Sequence, residues 1–267
     1  MSELALPKFT KVRTASGGTF APRLAAGLII LLAWEGVVRA FAPAYVAKPS
    51  GIIAVFPKVI VDPEFLAAAG ATLLAVAEGL AIALVLGTLI GLLIGRSIVA
   101  DRTLRHYING FYAVPMIVVL PLVSLWFGYT SGARLATIVF AAVFSIIINV
   151  ADGARSVPQE YLEVARSFRS GRFRAMIDVV VPAATPYFLA GFRLASGRAL
   201  IGAVVAEFFT AIGGLGYFIL YQSRIYHHNE AMVGVLALAA FGLAFETLVN
   251  ASTRAFLPWY RRDERGA

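Results

Sequence analysis

Residues 67–94 run for twenty-eight positions with Glu78 as the single charged side chain. A helix needs roughly 20 apolar residues to cross the hydrocarbon core of a bilayer, so this run is long enough to span and too uniformly apolar for an amphipathic helix of a soluble protein. Comparable runs occupy about 24–42, 108–127, 135–150, 183–211 and 232–256. Only 14% of the residues are charged against 60% hydrophobic, too few to build an aqueous surface. The chain is therefore expected to be an all-α polytopic membrane protein with about six transmembrane helices. Within these 267 residues no stretch is left for a separate soluble catalytic domain.

The runs differ in detail. Residues 24–42 follow Lys8, Lys11, Arg13 and Arg23, and Ala40-Phe41-Ala42 has the spacing of a signal-peptide cleavage site. The length of the run, its interruption by Glu35 and Arg39, and Pro43 just beyond favour a retained span. Residues 43–66 carry Pro43, Pro49, Pro57 and Pro63, which predicts an extended or broken connector. In the second run Gly87, Gly91 and Gly95 recur every four residues, which places three positions without side chains on one helix face for close helix packing. Pro115 and Pro121 predict a kink or interruption in the third run, and such breaks line cavities.

A formal charge of +8 raises the question of a nucleic-acid partner, but the basic residues lie between the spans. Sixteen of the 23 Lys and Arg fall in the N-terminal tail, around 96–105, within 155–174 and from Arg254 onward. Lys48, Lys58, Arg134 and Arg224 occupy the opposite loops, and Arg39, Arg193 and Arg198 lie within spans. By the positive-inside rule both termini and the 152–182 loop are cytoplasmic. Cysteine is absent and only three histidines occur, which excludes thiolate chemistry and a His-rich metal site.

The 152–182 loop reads DGARSVPQEYLEVARSFRSGRFRAMIDVVVP. Pro158 suits the first turn of a short helix with Glu160 and Glu163 near its positive end and Arg166 and Arg169 near its negative end. Tyr161, Leu162, Ala165 and Phe168 fall on one apolar stripe. Gly171 breaks that helix, and a second basic amphipathic turn leads to Pro182. Such a hairpin can rest on anionic lipid, serve as a solvated connector or dock on a protein. Asp152-Gly153 followed by Arg155 lacks the spacing and the further aspartates of a CDP-alcohol phosphotransferase.

At these residues the chain resembles the inner-membrane permeases of binding-protein-dependent ABC importers. Their EAA loop reads Glu-Ala-Ala, three residues, Gly, nine residues, Ile, one residue, Leu-Pro. Glu163, Ala165 and Pro182 match in register, Val164, Val179 and Val181 are conservative replacements, and Arg169 stands where the family has glycine. Gly171, two residues later, is expected to supply the turn. The resemblance extends from about Trp34 to Trp259 and is closest to the sulfonate, nitrate and taurine branch. It is carried by Trp34-Glu35, Lys48-Pro49-Ser50, Thr72-Leu73 with Gly79, Pro121 with Leu125-Trp126-Phe127-Gly128, Gly191 and Arg193, Ala206-Glu207, Gly214-Leu215-Gly216-Tyr217 and Pro258-Trp259; Ala75 departs from the usual arginine.

The resemblance implies a type I ABC importer transmembrane domain over 24–257, with its core at about 67–256 and cytoplasmic tails at 1–23 and 258–267. It implies a bacterial inner-membrane location, a homodimer of such subunits, two copies of an ABC ATPase subunit beneath, and a substrate-binding protein outside. The cargo is expected to be a small solute such as a sulfonate, taurine or nitrate. The ATPase-coupling loop would consist of Glu160, Tyr161, Leu162, Glu163, Val164, Ala165, Arg166, Phe168, Gly171 and Pro182. No cofactor is expected in this chain, ATP and Mg being used by the partner ATPase. No lysine follows a glycine, so there is no P-loop. The other expected contacts are with membrane lipid, none with nucleic acid.

Charges inside spans cost several kcal/mol when unpaired and should face protein or water. Glu35 and Arg39, four residues apart, can pair on one helix. Arg193 and Glu207, fourteen residues apart, cannot pair on a continuous helix. Interhelical locking is the first expectation for these groups; Arg193, Arg198, Glu207 and Pro121 are the candidates for the translocation path or gate. Gly213, Gly214 and Gly216 suggest a flexible external turn where a binding protein docks or a turn without a partner, and His227 and His228 read as interfacial. The alternative to an importer is a stand-alone ion-coupled transporter using Glu78 or Glu207.

Overall fold

The computed structural model describes residues 20–43 and 45–256; the expectations for Lys8, Lys11, Arg13, Pro258-Trp259 and the basic tail at 258–267 lie outside the described residues. Among the described residues every regular element is helical. Helix α1 spans Phe20–Phe41, α2 Pro49–Val59, α3 Pro63–Arg96, α4 Ile98–Ala113, α5 Met116–Phe127 and α6 Ser131–Arg155. Then come α7 at Gln159–Ser167, α8 at Arg172–Ala175, a π-helical turn at Met176–Val180, α9 at Val181–Thr210, α10 at Leu215–Arg224 and α11 at His228–Phe256. Five helices (α1, α3, α6, α9 and α11) are long and apolar enough to cross a membrane, and α4 with α5 makes a sixth as a pair bent by 101°.

Two expectations need correction here. The connector at 43–66 holds a helix, because Pro49 and Pro63 sit in the first turns of α2 and α3, where a missing N–H breaks no bond. Only Pro57 lies inside a helix there. The interruption of the third run falls at Val114-Pro115, whereas Pro121 continues inside α5. Helix α4 also begins at Ile98, well before the apolar run, and carries Asp101, Arg102 and Arg105.

The core is built around α6. Gly87, Gly91 and Gly95 of α3 face it: a Cβ there would lie 2.8 Å from Ile146 Cβ, 2.8 Å from Val150 Cβ and 2.7 Å from Ala154 Cβ respectively. Partners thus advance four residues at a time on both helices, as close parallel packing requires. The adjoining side of α6 receives α9 running antiparallel, with Gly191 against Asn149 and Gly202 against Ala141. Ala83, Ala142, Ala195, Ala199 and Ala203 fill the remaining contact positions and are fully buried. With no hydrophobic drive between helices in lipid, this small-residue packing is the main source of adhesion.

Polar contacts fix the ends. At the α2 end, Ser50 donates its N–H to Glu35 Oε2 (2.9 Å) and its hydroxyl to Glu35 Oε1 (2.7 Å), so the Glu35 carboxylate caps α2 while pairing with Arg39 at 2.6 Å. Asn229 Oδ1 accepts from the Lys48 N–H, and His228 Nδ1 lies 2.9 Å from the Tyr45 carbonyl, which docks α11 beside the start of α2. At the opposite end, Arg105 and Arg155 bridge Asp101 and Asp152 and join α4 to α6.

Candidate functional site

The hairpin between α6 and α9 is shorter than its sequence limits, because α6 continues through Asp152 to Arg155. Helix α7 follows Pro158 directly, with Glu160 in its first turn and Arg166 in its last, the arrangement that suits the helix dipole. The expected single apolar stripe divides into two faces. Leu162 is 6% exposed and packs with Ala154, Val157 and Val180, while Ala165 is half-buried. Tyr161, Val164 and Phe168, spaced i, i+3, i+7, point away from the protein, and Phe168 is 83% exposed. Glu163 is exposed beside them.

The turn after α7 is made by Arg169 (φ 54°) and not by Gly171, whose φ is −63°. The Arg169 N–H donates to the Arg166 carbonyl (2.8 Å) and the Ser170 N–H to the Ala165 carbonyl (2.9 Å). Those two bonds define a Schellman cap with Arg169 at the left-handed position that glycine usually fills. Arginine thus stands, with a left-handed backbone, at the position where the resemblance puts glycine. Gly171 starts α8 in an extended conformation, with nothing within 4 Å of where its Cβ would be. Pro182 stands in the first turn of α9, immediately after the π turn. Its missing N–H removes one donor from the helical ladder where the spacing changes.

At the opposite end lies a buried polar knot. Glu207 is 0% exposed. The Thr72 hydroxyl donates to its two carboxylate oxygens at 2.9 and 3.1 Å, the Gly216 N–H at 2.8 Å, and Arg134 Nη1 at 3.4 Å. Thr72 Oγ1 in turn accepts the Leu215 N–H (2.8 Å), and Arg134 also donates to the Gly213 carbonyl. A Cβ on Gly214 would overlap the carboxylate, and one on Gly216 would sit 2.8 Å from the Val204 carbonyl. Gly214 and Gly216 are therefore buried over Glu207, and only Gly213 is exposed, which corrects the flexible external turn. Thr72, Glu207 and Gly214-Leu215-Gly216, distant in the chain, form one structure.

Sequence reasoning misses the roles of Arg134, which counts there only as a loop charge, and of the Thr72 hydroxyl. The signal is topological: Arg134 is the fourth residue of α6 and Glu207 the fourth from the end of α9, two antiparallel neighbours. Arg193 pairs with Glu246 of α11, so α9 stays continuous and its two candidates find separate partners. Arg198 stacks over the Tyr112 ring, its Cζ 3.9 Å from the centroid. Beside them is a cavity of about 330 Å³ at the α4–α5 break, lined by Tyr112, Pro115, Phe140, Phe144, Arg198 and Ile201 among others. Pro121 and Glu78 are exposed on helix faces away from that cavity's lining.

Comparison with known proteins places this geometry. Residues 83–262 match the family described as the binding-protein-dependent transport system inner membrane component. The putative aliphatic sulfonates transport permease SsuC of Bacillus subtilis is 30% identical, over 86% of this chain and 84% of that one. The formylaminopyrimidine transport permease ThiX of Halalkalibacterium halodurans is 28% identical, over 88% and 94%. The nitrate import permease NrtB of Leptolyngbya laminosa is 31% identical, over 67% and 64%. In fold, the chain is similar to the inward-facing MetNI methionine ABC transporter (18% identical, TM-score 0.57, 79% of this chain and 99% of that one). It is also similar to a bacterial alginate ABC transporter in complex with its alginate-bound periplasmic protein (13% identical, TM-score 0.62, 88% and 92%). The chain belongs to the binding-protein-dependent transport system inner membrane component family and is a permease subunit of an ABC importer.

Proposed function

We propose that this permease pairs with a second copy of itself in a bacterial inner membrane, both termini cytoplasmic, above two ATPase subunits that use the ATP and Mg. A small solute of the sulfonate, taurine or nitrate kind reaches it from an extracytoplasmic binding protein, and the chain itself holds no nucleotide. The observation that carries this reading is the outward face of α7, where Tyr161, Val164 and Phe168 stay exposed on a helix anchored from behind by Leu162. Burying three such side chains is worth roughly 5 kcal/mol before association costs, enough for a stable seat when repeated on two subunits.

Motion is relayed through packing. Leu162 rests on Val180, the last residue of the π turn, and α9 follows without interruption. A push on α7 therefore reaches the helix that carries Arg193, Arg198 and Glu207. Of these, Glu207 serves as a lock, since the Thr72 hydroxyl, the Gly216 N–H and Arg134 all donate to its buried carboxylate, whereas Arg193 with Glu246 and Arg198 are assigned to the path. Lipid contacts the exposed faces of α1 and α3.

The test is co-purification of the full chain with candidate ABC ATPase subunits, for wild type and for Tyr161→Asp and Phe168→Asp. Both variants should fold, lose the ATPase and lose uptake. Retention of the ATPase by both, or uptake that survives ATP depletion while the proton gradient is kept, overturns the reading in favour of a stand-alone ion-coupled transporter.

A further inference from the structure

Arg39, Arg134 and Arg193, three of the arginines placed along the spanning helices, each face a carboxylate: Glu35, Glu207 and Glu246. Arg198 does not. It is the eighteenth residue of the thirty-residue α9, far from either end, and among the described residues it makes no ion pair. A guanidinium at such depth without a counter-charge is expensive, and its retention points to a charge that arrives from elsewhere.

The surroundings narrow what arrives. Arg198 lines the cavity at the α4–α5 break, and no carboxylate shares that lining. An interrupted span at membrane depth is tolerated where it lines a cavity, and this one does. The walls are aromatic and rigid: Phe140 meets Phe144 edge-on at 5.1 Å, and Phe111 stacks on Phe144 at 5.9 Å. Tyr112 holds one face of the guanidinium, which leaves the N–H edge free for a bidentate contact with two oxygens. At about 330 Å³ the space equals about ten waters at about 30 Å³ each, room for a small organic ion.

We propose that this cavity is a substrate way-station for a small oxyanion bearing an apolar group, such as an alkanesulfonate, with Arg198 as its charge partner and the Phe111–Phe140–Phe144 wall against its apolar end. The proposal rests on the importer reading, narrows its solute to an oxyanion with an apolar end and gives that solute a place in this chain. Because Arg198 rides on α9, a displacement at α7 shifts the charge partner itself.

The test uses the purified full chain in nanodiscs of uncharged lipid, titrated at constant ionic strength with butanesulfonate, nitrate or the neutral butanesulfonamide, with thermal unfolding as the readout. Butanesulfonate should raise the melting temperature of wild type at lower concentration than nitrate does, and butanesulfonamide should have no effect. Arg198→Gln should weaken the apparent affinity at least tenfold and Arg198→Lys less. Met116→Trp, which fills the cavity and leaves the charge, should abolish binding, and its result decides between the outcomes if Arg198→Gln does not fold. No stabilisation of wild type, equal stabilisation by nitrate or the sulfonamide, or unchanged binding in Met116→Trp overturns the proposal. ATPase retention on α7 is a separate readout, so either idea can fail while the other stands.

Discussion

Replacing Glu207 by alanine should destabilise the protein more than any single change on its surface. The carboxylate receives the Thr72 hydroxyl, the Gly216 N–H and Arg134, all inside the fold. Hydrogen bonds to a charged group contribute about 1.5–3 kcal/mol each, and their loss leaves the Gly216 N–H and the Arg134 guanidinium without this acceptor. Arg134 keeps its bond to the Gly213 carbonyl, which tempers the loss. The expected total is about 3–5 kcal/mol, the range for breaking a buried ion pair from one side. For a chain of this size that corresponds to a fall of roughly 10 °C in melting temperature. Glu207→Gln should cost about 2 kcal/mol, because all three partners present hydrogens and the new NH₂ group meets one of them head-on. Thr72→Val removes a donor to Glu207 and the acceptor of the Leu215 N–H, so it should cost about 2 kcal/mol alone and less when added to Glu207→Gln. The assay is thermal unfolding in detergent followed by intrinsic fluorescence or light scattering, since a cysteine-free chain gives a thiol-reactive dye nothing to label. A Glu207→Ala protein that melts within about 1 °C of wild type, or strict additivity of Thr72→Val and Glu207→Gln, would refute the lock.

Arg169→Gly should stabilise the α7 turn by about 0.5–1 kcal/mol, since relief of a left-handed arginine outweighs the added chain entropy of glycine; slower amide exchange across 165–170 is the measurement, and faster exchange counts against the cap. Gly171→Val should change stability by less than about 0.5 kcal/mol, because the backbone there suits any residue and no atom lies in the way; a larger loss would mean that the turn depends on Gly171 after all. Gly91→Leu should cost at least about 3 kcal/mol, because its Cβ would meet Val150 Cβ at 2.8 Å and the Ile147 backbone carbonyl at 2.9 Å; Gly110→Leu, in open space, is the control, and equal monodispersity of the two on size exclusion would contradict the α3–α6 packing.

Much of the fold is legible in hydropathy, because a bilayer leaves few alternatives to a helix for a long apolar run. The four-residue glycine rhythm of α3 likewise names the face that meets α6. What escapes is set by context. Prolines in 43–66 have the look of breakers, yet Pro49 and Pro63 lie where a helix has N–H groups to spare. Arginine at position 169 resembles a displaced glycine, yet the two cap bonds hold the backbone left-handed whatever the side chain. The apolar residues of α7 read as one stripe, since sequence spacing alone does not say how the helix is turned toward Ala154 and Val180. Charge partners are the least legible of all. Glu35 with Arg39 follows from helical spacing, whereas Glu207 with Arg134 and Arg193 with Glu246 join different helices.

These charge assignments also explain how one helix can be both fixed and mobile. Helix α9 is tied at its C-terminal end by the Glu207 knot and engaged at its N-terminal end by Leu162 against Val180. Between α7 and α9 lie the Arg169 turn, α8 and the five-residue π turn, where the hydrogen-bond spacing of the helix changes. A displacement of α7 therefore has two outlets: local rewinding of Met176–Val180, or rotation of α9 about its locked end. Rotation about the fixed Glu207 end moves residues in proportion to their distance from it, so Arg193 travels farther than Arg198, and both farther than Glu207. The Arg193–Glu246 pair, half-exposed and joining α9 to α11, is then the contact under most strain when α7 moves, and Arg198 shifts less, as suits a group that must keep hold of a small ligand.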